Sequence, residues 1–186
     1  ACGIRSGNKK YSFDRVITNM DVQSTYYKLL PSIKPPQKIL NQEKSSSALI
    51  FYWGVDGEHS DLDVHNILFS ADYKQEFIAL KNGKVIDDPT VYIYISKKHI
   101  PSDAPSQAEN WFVMINVPHD SGQDWNKIVE RTKENVFAKV ESMLDISLND
   151  KIQFEQVWTP KGIESDTSSY AGALYGNASN SPFSSF

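Results

Sequence analysis

The sequence predicts an α+β fold, in which a mixed, largely antiparallel sheet carries helices packed on one face. Five segments are rich in β-branched and aromatic residues and are bounded by Gly, Pro, Asp or Ser, as strands are. One long segment repeats apolar residues at three- and four-residue spacing, as an amphipathic helix does. The predicted strands are residues 47–54, 64–70, 90–96, 110–117 and 151–159, and the predicted long helix is residues 124–145.

The long helix requires an apolar partner for the stripe that contains Trp125, Val136 and Val140. The predicted sheet is the only large apolar surface that the chain offers to it. The strands 47–54, 64–70, 90–96 and 110–117 are therefore expected to form one sheet beneath this helix.

The residues before the sheet predict short elements. A turn at residues 6–8 joins two strands, because Gly and Asn tolerate positive φ. Val16 and Ile17 are predicted as a short buried strand. Asp21 is predicted to cap a helix over residues 22–30 by accepting a backbone N–H from its first turn.

Other segments predict two short helices and an irregular end. The segment PPQKILNQEK favours a helix, since proline at a helix start lacks an N–H that would be unpaired there anyway. Residues 71–80 favour another helix, which ends near Gly83. From Pro160 onward the Ser-, Gly- and Ala-rich sequence predicts no regular structure, and YAGALYG is interpreted as a flexible connection.

Composition argues against several classes of protein. The net charge is −4, and no cluster of Lys and Arg offers a surface for nucleic acid. A single cysteine, Cys2, excludes an intrachain disulfide framework and a cysteine-based zinc site. No apolar segment approaches the roughly 18 residues of a membrane span. Because the chain starts at Ala1 and ends in NASNSPFSSF, both ends are interpreted as internal to a longer protein.

No pattern of catalytic residues is evident, and catalytic residues are left unassigned. The histidines form neither a His-x-x-His nor a His-Glu-x-x-His pair, so no metal site is predicted. A hydrogen-bonded position at a strand edge is favoured for His65. The sequence contains no Gly-x-Ser-x-Gly, Gly-x-Gly-x-x-Gly or P-loop motif. Asp87 and Asp88 precede Pro89 and predict a turn.

The aromatic residues leave two interpretations open. Phe51 and Trp53 share one strand face, and Tyr92 and Tyr94 share another, whereas Tyr52 takes the face opposite to Phe51. These rings either belong to the core beneath the long helix or wall a long apolar cavity. Spacing alone favours the core.

Six segments, taken in order, resemble the carotenoid desaturase family, the phytoene dehydrogenase-like flavoproteins. They are FDRVITNMDV, SALIFYWGVD, LDVHNILFSADYKQEF, DDPTVYIYIS, DAPSQAENWFVMINVPH and WTP, and the resemblance covers residues 13–176. NWFVMINVP and SSYAGALYGNASN resemble the hydroxycarotenoid 3,4-desaturase branch most. The sequence departs from the family pattern at Met20, where the family has Ala, and at Gln107, where it has Gly.

The resemblance implies an internal fragment of an FAD-dependent enzyme that introduces C=C bonds into a long polyene by hydride transfer to flavin. The implied fold is the substrate domain of a two-domain, amine oxidase-like flavoprotein. Residues 1–21 would end the FAD-domain strand region, residues 22–176 would bind substrate, and residues 177–186 would lead towards the FAD segment. The fragment alone is expected to be inactive and not to bind FAD, because it lacks the family's Gly-rich phosphate-binding turn.

The resemblance also implies the positions of two sites. The segment Asn19-Met20-Asp21 is expected to lie beside the flavin. The substrate wall is expected to consist of five side chains on the sheet, which are Phe51, Trp53, Tyr92, Tyr94 and His65. His65-Asn66 is a family signature whose role, structural or lining the site, stays open.

The implied partners are a carotenoid and, for the full-length enzyme, the surface of a membrane, with no role for nucleic acid. The implied location is cytoplasmic and peripheral to the membrane. A second interpretation is a non-enzymatic module that binds an apolar ligand or a protein partner through the same sheet face.

Overall fold

A computed structural model describes residues 1–179 of the chain. Its contacts divide the chain into two compact units, Ala1–Asn41 and Gln42–Phe186. The predicted tail at residues 177–186 falls mostly outside the described residues, which end at residue 179. The domain boundary predicted after residue 21 stays a prediction.

The first unit opens with a hairpin of two antiparallel strands, β1 (Gly3–Ser6) and β2 (Lys9–Ser12). Gly7 in the connection has φ +57°, and the predicted turn is confirmed. The buried strand predicted at Val16 and Ile17 is wrong, because residues 13–20 form no strand and Ile17 is 94% exposed. A preference for β structure does not make a strand when the backbone has no neighbouring strand to pair with.

A short helix follows, as predicted. Helix α1 (Val22–Ser24) continues into a π-helical turn over Thr25–Leu29. The Asp21 carboxylate accepts a hydrogen bond from the Ser24 backbone N–H at 3.0 Å, which confirms the predicted cap. Helix α2 (Gln37–Leu40) begins after a proline, also as predicted.

The second unit contains a five-stranded sheet in the spatial order β4-β5-β6-β3-β7. Every pairing is antiparallel, so the predicted strands form one sheet that is antiparallel throughout rather than mixed. The strands are β3 (Ser47–Asp56), β4 (His65–Leu68), β5 (Val91–Ile95), β6 (Ala108–Val117) and β7 (Ile152–Trp158).

Two capped helices occur where the sequence predicts them. Helix α3 (Tyr73–Lys81) begins at Asp72, whose carboxylate accepts from the Gln75 backbone N–H at 2.9 Å. Helix α4 (Trp125–Leu144) begins at Asp124 in the same way. Both caps satisfy backbone donors that the first helical turn leaves unpaired.

Helix α4 packs on one face of the sheet and forms the main core with it, as predicted. Val136 and Val140 are fully buried in the same core cluster as Phe51 and Trp53 of β3, and Phe137 meets the Trp53 ring edge-on at 5.4 Å between centroids. We call the sheet face under α4 the inner face and the opposite one the outer face.

The segment after β7 is more regular than the sequence predicts. Helix α5 spans Pro160–Thr167, and the Thr159 hydroxyl accepts from the Gly162 backbone N–H at 3.3 Å. The Ile163 side chain packs on the outer face against Ala48 and Ile50. The prediction of irregular structure is wrong here, because a threonine cap followed by proline starts a helix even in a sequence rich in small residues.

The segment YAGALYG is packed rather than flexible. Ala171, Gly172 and Ala173 are buried, and the Ser47 hydroxyl donates to the Gly172 carbonyl at 2.6 Å. A Cβ at Gly172 would lie 2.3 Å from the Pro160 carbonyl oxygen, so the absence of a side chain permits this approach.

Candidate binding site on the outer sheet face

The outer face of the sheet carries adjacent aromatic side chains from three strands. In the antiparallel register, Tyr94 of β5 lies opposite Phe112 of β6, which lies opposite Tyr52 of β3. One row further along, Tyr92 lies opposite Met114. All five side chains are half-buried, whereas their neighbours along each strand are buried on the inner face. The outer face is thus an apolar surface only partly removed from water.

The rings on this face contact one another edge to face. The Tyr52 and Phe112 centroids are 5.5 Å apart, and those of Tyr92 and Phe112 are 6.3 Å apart. Tyr52 also meets Trp158 of β7 at 6.0 Å. Each such pair contributes roughly 0.5–1.5 kcal/mol beyond the area it buries. The rings therefore keep their orientation before a ligand binds.

The four rings predicted as one substrate wall do not share one face. Phe51 and Trp53 lie on the inner face, are 0% and 2% exposed, and stack at 5.1 Å in the core beneath α4. Tyr92 and Tyr94 lie on the outer face. The placement of all four rings on a single face is therefore wrong, because odd-numbered residues of β3 point to α4 whereas even-numbered residues of β5 point away from it. Trp53 and Tyr94 both line the groove described below, and the contact of these residues with a substrate stays a prediction.

The two residues of the His65-Asn66 signature differ in their contacts. His65 lies on the outer side of the edge strand β4, where its Nδ1 is 2.7 Å from the Tyr92 hydroxyl oxygen and its ring stacks 5.2 Å from Tyr94. The Asn66 side chain donates to the Asp63 carbonyl at 2.7 Å and accepts from the Asp63 backbone N–H at 3.0 Å. Asn66 therefore braces the turn that precedes β4, whereas His65 borders the outer face.

The turn after β4 is held by side chains from α3 and from the residues just before β5. The Ser70 backbone N–H donates to the Thr90 hydroxyl at 3.1 Å, and that hydroxyl donates to the buried Glu76 carboxylate at 2.7 Å. Asp88 lies in a bend and accepts from the Ala71 backbone N–H at 2.7 Å. Burial alone would raise the pKa of Asp88, but its hydrogen bonds from Lys139 and Ala71 outweigh burial and lower that pKa.

A groove of about 510 Å³ opens at one end of the outer face. Its walls include Tyr52, Tyr94 and Phe112, and its floor includes Gly54 of β3. A Cβ at Gly54 would lie 3.2 Å from the Phe154 Cβ, so this glycine keeps the groove open towards β7. The volume falls within the roughly 300–1,000 Å³ of small-molecule sites.

Another cavity, of about 270 Å³, is less suited to an apolar ligand. Lys44, Lys81 and Asn177 are among its polar lining residues. The larger groove is therefore the better candidate for an apolar molecule.

Two tyrosine hydroxyls of the outer face are uncharged near pH 7. Burial raises the pKa of the Tyr52 hydroxyl, and burial together with the nearby Tyr94 raises the pKa of the Tyr92 hydroxyl. Both phenols therefore stay protonated well above neutral pH. An uncharged ligand meets no buried charge on these rings.

A buried ionic cluster lies beside the groove, and sequence reasoning missed it. Glu109 of β6 is 2% exposed and accepts hydrogen bonds from His59, Lys98 and Trp111. Burial opposes ionisation of Glu109, but these bonds, that of Lys98 first, lower its pKa to about 2. The signal was a carboxylate at an inward position of a strand that is otherwise apolar inside. The cluster ties the loop at His59 to the sheet.

The segment expected beside a flavin lies in the first unit. Asn19 is exposed, and no hydrogen bond of its side chain is found within residues 1–179. The Met20 carbonyl accepts from the Thr25 hydroxyl at 3.3 Å, and Asp21 is occupied as the helix cap. The structure thus gives Asp21 a role as helix cap, and the place of Asn19-Met20-Asp21 beside a flavin stays a prediction.

Among residues 1–179, no group of three or more His, Cys, Asp and Glu side chains is placed to hold a metal ion. In the same residues, no helix has the length and apolar character to cross a membrane.

No protein-family model matches the chain, but individual relatives do. It is 52% identical, over 99% of its length, to the 1-hydroxycarotenoid 3,4-desaturase of Flavobacterium sp. (strain P99-3), and covers 38% of that protein. It is 32% identical, over 89% of its length, to the phytoene desaturase of Neurospora crassa, and covers 30% of it. It is 34% identical, also over 89%, to the 4,4'-diaponeurosporene oxygenase of Staphylococcus haemolyticus, and covers 34% of it. The chain thus spans about a third of the length of these curated relatives.

Proposed function

Over nearly its whole length this chain belongs to the carotenoid desaturase family, and on that premise we propose that it forms the substrate-binding part of an FAD-dependent carotenoid desaturase. In this proposal the outer face of the sheet is the wall against which the polyene lies. The relative at 52% identity supports a hydroxylated carotenoid as substrate, since its name specifies a 1-hydroxycarotenoid.

The observation that carries the proposal is the half-buried aromatic surface made by Tyr52, Tyr94 and Phe112. A polyene is long, flat and uncharged, so a site for it must offer apolar area and shape rather than ionic groups. Each Å² of apolar surface that the ligand removes from water contributes about 25 cal/mol. Flat rings preorganised by edge-to-face contacts give that area with little loss of side-chain entropy.

The residues of this chain would act by binding, orienting and excluding water. FAD, when bound, supplies the acceptor for the hydride that leaves the substrate, while the second hydrogen leaves as a proton. Asn19 and the backbone of Met20 fit a supporting contact to such a cofactor, because the Asn19 amide is exposed. The rings of the outer face would hold the polyene in one plane, and His65 would fix the edge of that face through Tyr92.

The remaining family features are part of the same proposal. The chain corresponds to a substrate domain, residues 22–176, in a two-domain amine oxidase-like flavoprotein. The substrate dissolves in lipid, so the complete protein would take it up at a membrane surface on the cytoplasmic side.

Steady-state kinetics of the complete gene product with bound FAD test the proposal. Tyr94→Ala and Phe112→Ala are expected to raise the KM for a carotenoid at least tenfold without changing the flavin content. Tyr175→Ala is the matched control, because Tyr175 is 81% exposed and lies outside the outer face. Unchanged KM values in both wall variants would contradict the assignment of the wall. Binding of the polyene without any turnover would favour the non-enzymatic module instead.

A further inference from the structure

We propose that the groove at Gly54 receives a hydroxyl-bearing end of the apolar ligand, and that the Tyr52 and Tyr94 hydroxyls recognise that end group. This inference rests on the proposed function, and it assigns two residues that determine specificity. In this inference, one end of the outer face would form hydrogen bonds with a polar group of the ligand. The rest of the face would contact only the hydrocarbon chain.

The Tyr52 and Tyr94 hydroxyls are two available polar groups on the sheet side of the groove. Both residues line it, and no hydrogen bond to either hydroxyl is found among residues 1–179. A protonated phenol both donates and accepts, as an alcohol does, so each tyrosine can exchange a water molecule for a ligand hydroxyl.

Three other polar side chains around the groove are already engaged, whereas the exposed Gln153 amide makes only one long hydrogen bond, from its Nε2 to the Asp150 carbonyl at 3.5 Å. Asn110 donates to the Ser96 hydroxyl at 2.6 Å and accepts from the Lys97 backbone N–H at 3.1 Å. Asp103 accepts from the same Ser96 hydroxyl. Glu109 is saturated by its three partners in the ionic cluster. Recognition by Asn110, Asp103 or Glu109 would first break an existing bond, which costs free energy.

Within residues 1–179, the opposite end of the outer face has no second pair of unbonded tyrosine hydroxyls, and its polar side chain besides Tyr92 is the Asn116 amide opposite Ala48. The Tyr92 hydroxyl is occupied by His65 at 2.7 Å, and the neighbouring positions carry Ile67, Met114 and Ile50. A ligand with one polar end therefore has a preferred direction on this face, with its hydroxyl at Gly54 and its hydrocarbon chain towards Tyr92.

The shape of the groove fits a chain end rather than a side group. Gly54 lies between Asn110 of β6 and Phe154 of β7 in the sheet register, and its missing side chain leaves a depression between them. Phe154 is 60% exposed, so apolar area is available to cover a terminal hydrocarbon unit. Apolar walls around two hydroxyls make each hydrogen bond more selective than the same bond in water.

The test compares two polyenes of the same length and desaturation, one with a terminal hydroxyl and one without it. The complete gene product with bound FAD is assayed as wild type, Tyr52→Phe, Tyr94→Phe and the double variant. The measured quantity is the ratio of kcat/KM for the hydroxylated substrate to kcat/KM for the other. Each single variant is expected to lower this ratio about threefold to tenfold, the effect of one neutral hydrogen bond. Tyr175→Phe is the matched control and is expected to keep the wild-type ratio.

The outcomes separate this inference from the proposed function. If the double variant keeps the wild-type ratio, the recognition of a hydroxyl by these tyrosines is refuted while the desaturase assignment stands. If wild type turns over neither polyene, the proposed function fails and the inference fails with it. Gly54→Val offers a second measurement, since a side chain that fills the groove should lower kcat/KM for the hydroxylated substrate more than for the other. An equal effect on both substrates would contradict the placement of the hydroxylated end.

Discussion

His65 and Tyr92 are joined across the edge of the sheet, with the His65 Nδ1 atom 2.7 Å from the Tyr92 hydroxyl oxygen. The two rings are nearly parallel, at 18°, with centroids 6.0 Å apart. His65 stacks in addition on Tyr94, its direct cross-strand neighbour. The bond thus ties the edge strand β4 to the aromatic surface and restricts the Tyr92 ring.

Removal of this bond should have a small but coupled effect on stability. His65→Ala is expected to lower the free energy of unfolding by about 1 kcal/mol, since the pair is exposed to water. A double-mutant cycle with Tyr92→Phe, measured by urea unfolding of the chain, should give a coupling of about 0.5–1 kcal/mol. Strictly additive effects would mean that the bond contributes nothing.

The inner and outer faces should respond differently to loss of a ring. Phe51→Ala removes a fully buried side chain and is expected to lower the free energy of unfolding by about 3–5 kcal/mol. Tyr94→Ala is expected to cost less than half as much, because Tyr94 is half-buried. Urea unfolding followed by tryptophan fluorescence measures both. Similar losses for the two variants would contradict the division of the aromatic residues between core and surface.

Glu109 should make the free energy of unfolding depend on pH in the acidic range. Its pKa in the folded chain is about 2, against 4.5 ordinarily, so its contribution is fully present above pH 4.5. That contribution, about 3 kcal/mol, is lost as the pH falls from 4.5 towards 2. Glu109→Gln should therefore be less stable than wild type at pH 7. Its free energy of unfolding should also decrease less than that of wild type between about pH 5 and about pH 2.5.

Urea midpoints at several pH values measure this effect. Glu130→Gln is the matched control, because Glu130 is exposed on α4 and should change neither the stability at pH 7 nor its pH dependence. An acid-induced loss of the same size in Glu109→Gln and wild type would show that other carboxylates cause it.

Gly172 should tolerate no side chain. Gly172→Ala would place a Cβ against the Pro160 carbonyl and hold a non-glycine residue at φ +67°, so a loss of more than about 2 kcal/mol is expected. Gly122→Ala is the control, since Gly122 also has positive φ but no atom lies within 4 Å of its Cβ position. Thermal unfolding of both variants should show the larger decrease for Gly172→Ala, and equal decreases would contradict the packed arrangement.

Periodicity made much of the fold predictable from the sequence. The strands of the sheet and helix α4 follow patterns of two and of three to four residues, which depend only on local geometry. Helix α5 was missed because its cap, Thr159 followed by Pro160, is a signal of two residues in a segment of flexible composition. Ile17 was misplaced because β preference does not reveal whether a partner strand exists.

The candidate site was harder to predict than the fold. Alternation within one strand indicates that Phe51 and Trp53 share a face, but the face that each strand turns to the core depends on the register with its neighbours. The sequence therefore could not place Tyr52 beside Tyr94, which requires the pairing through Phe112. Glu109 depends on His59 and Lys98 as well as on the nearby Trp111, and no local pattern brings His59 and Lys98 to it.

The claim that the outer face is the wall for the polyene can be tested by photo-crosslinking. In the complete gene product, Tyr94 is replaced by p-benzoylphenylalanine, the carotenoid is added, and the site of the adduct is found by mass spectrometry after irradiation. The control has the same replacement at Lys127, whose side chain is 84% exposed on α4. We expect a carotenoid adduct at position 94 and none at position 127. No adduct at 94, or equal adducts at both positions, would contradict the account.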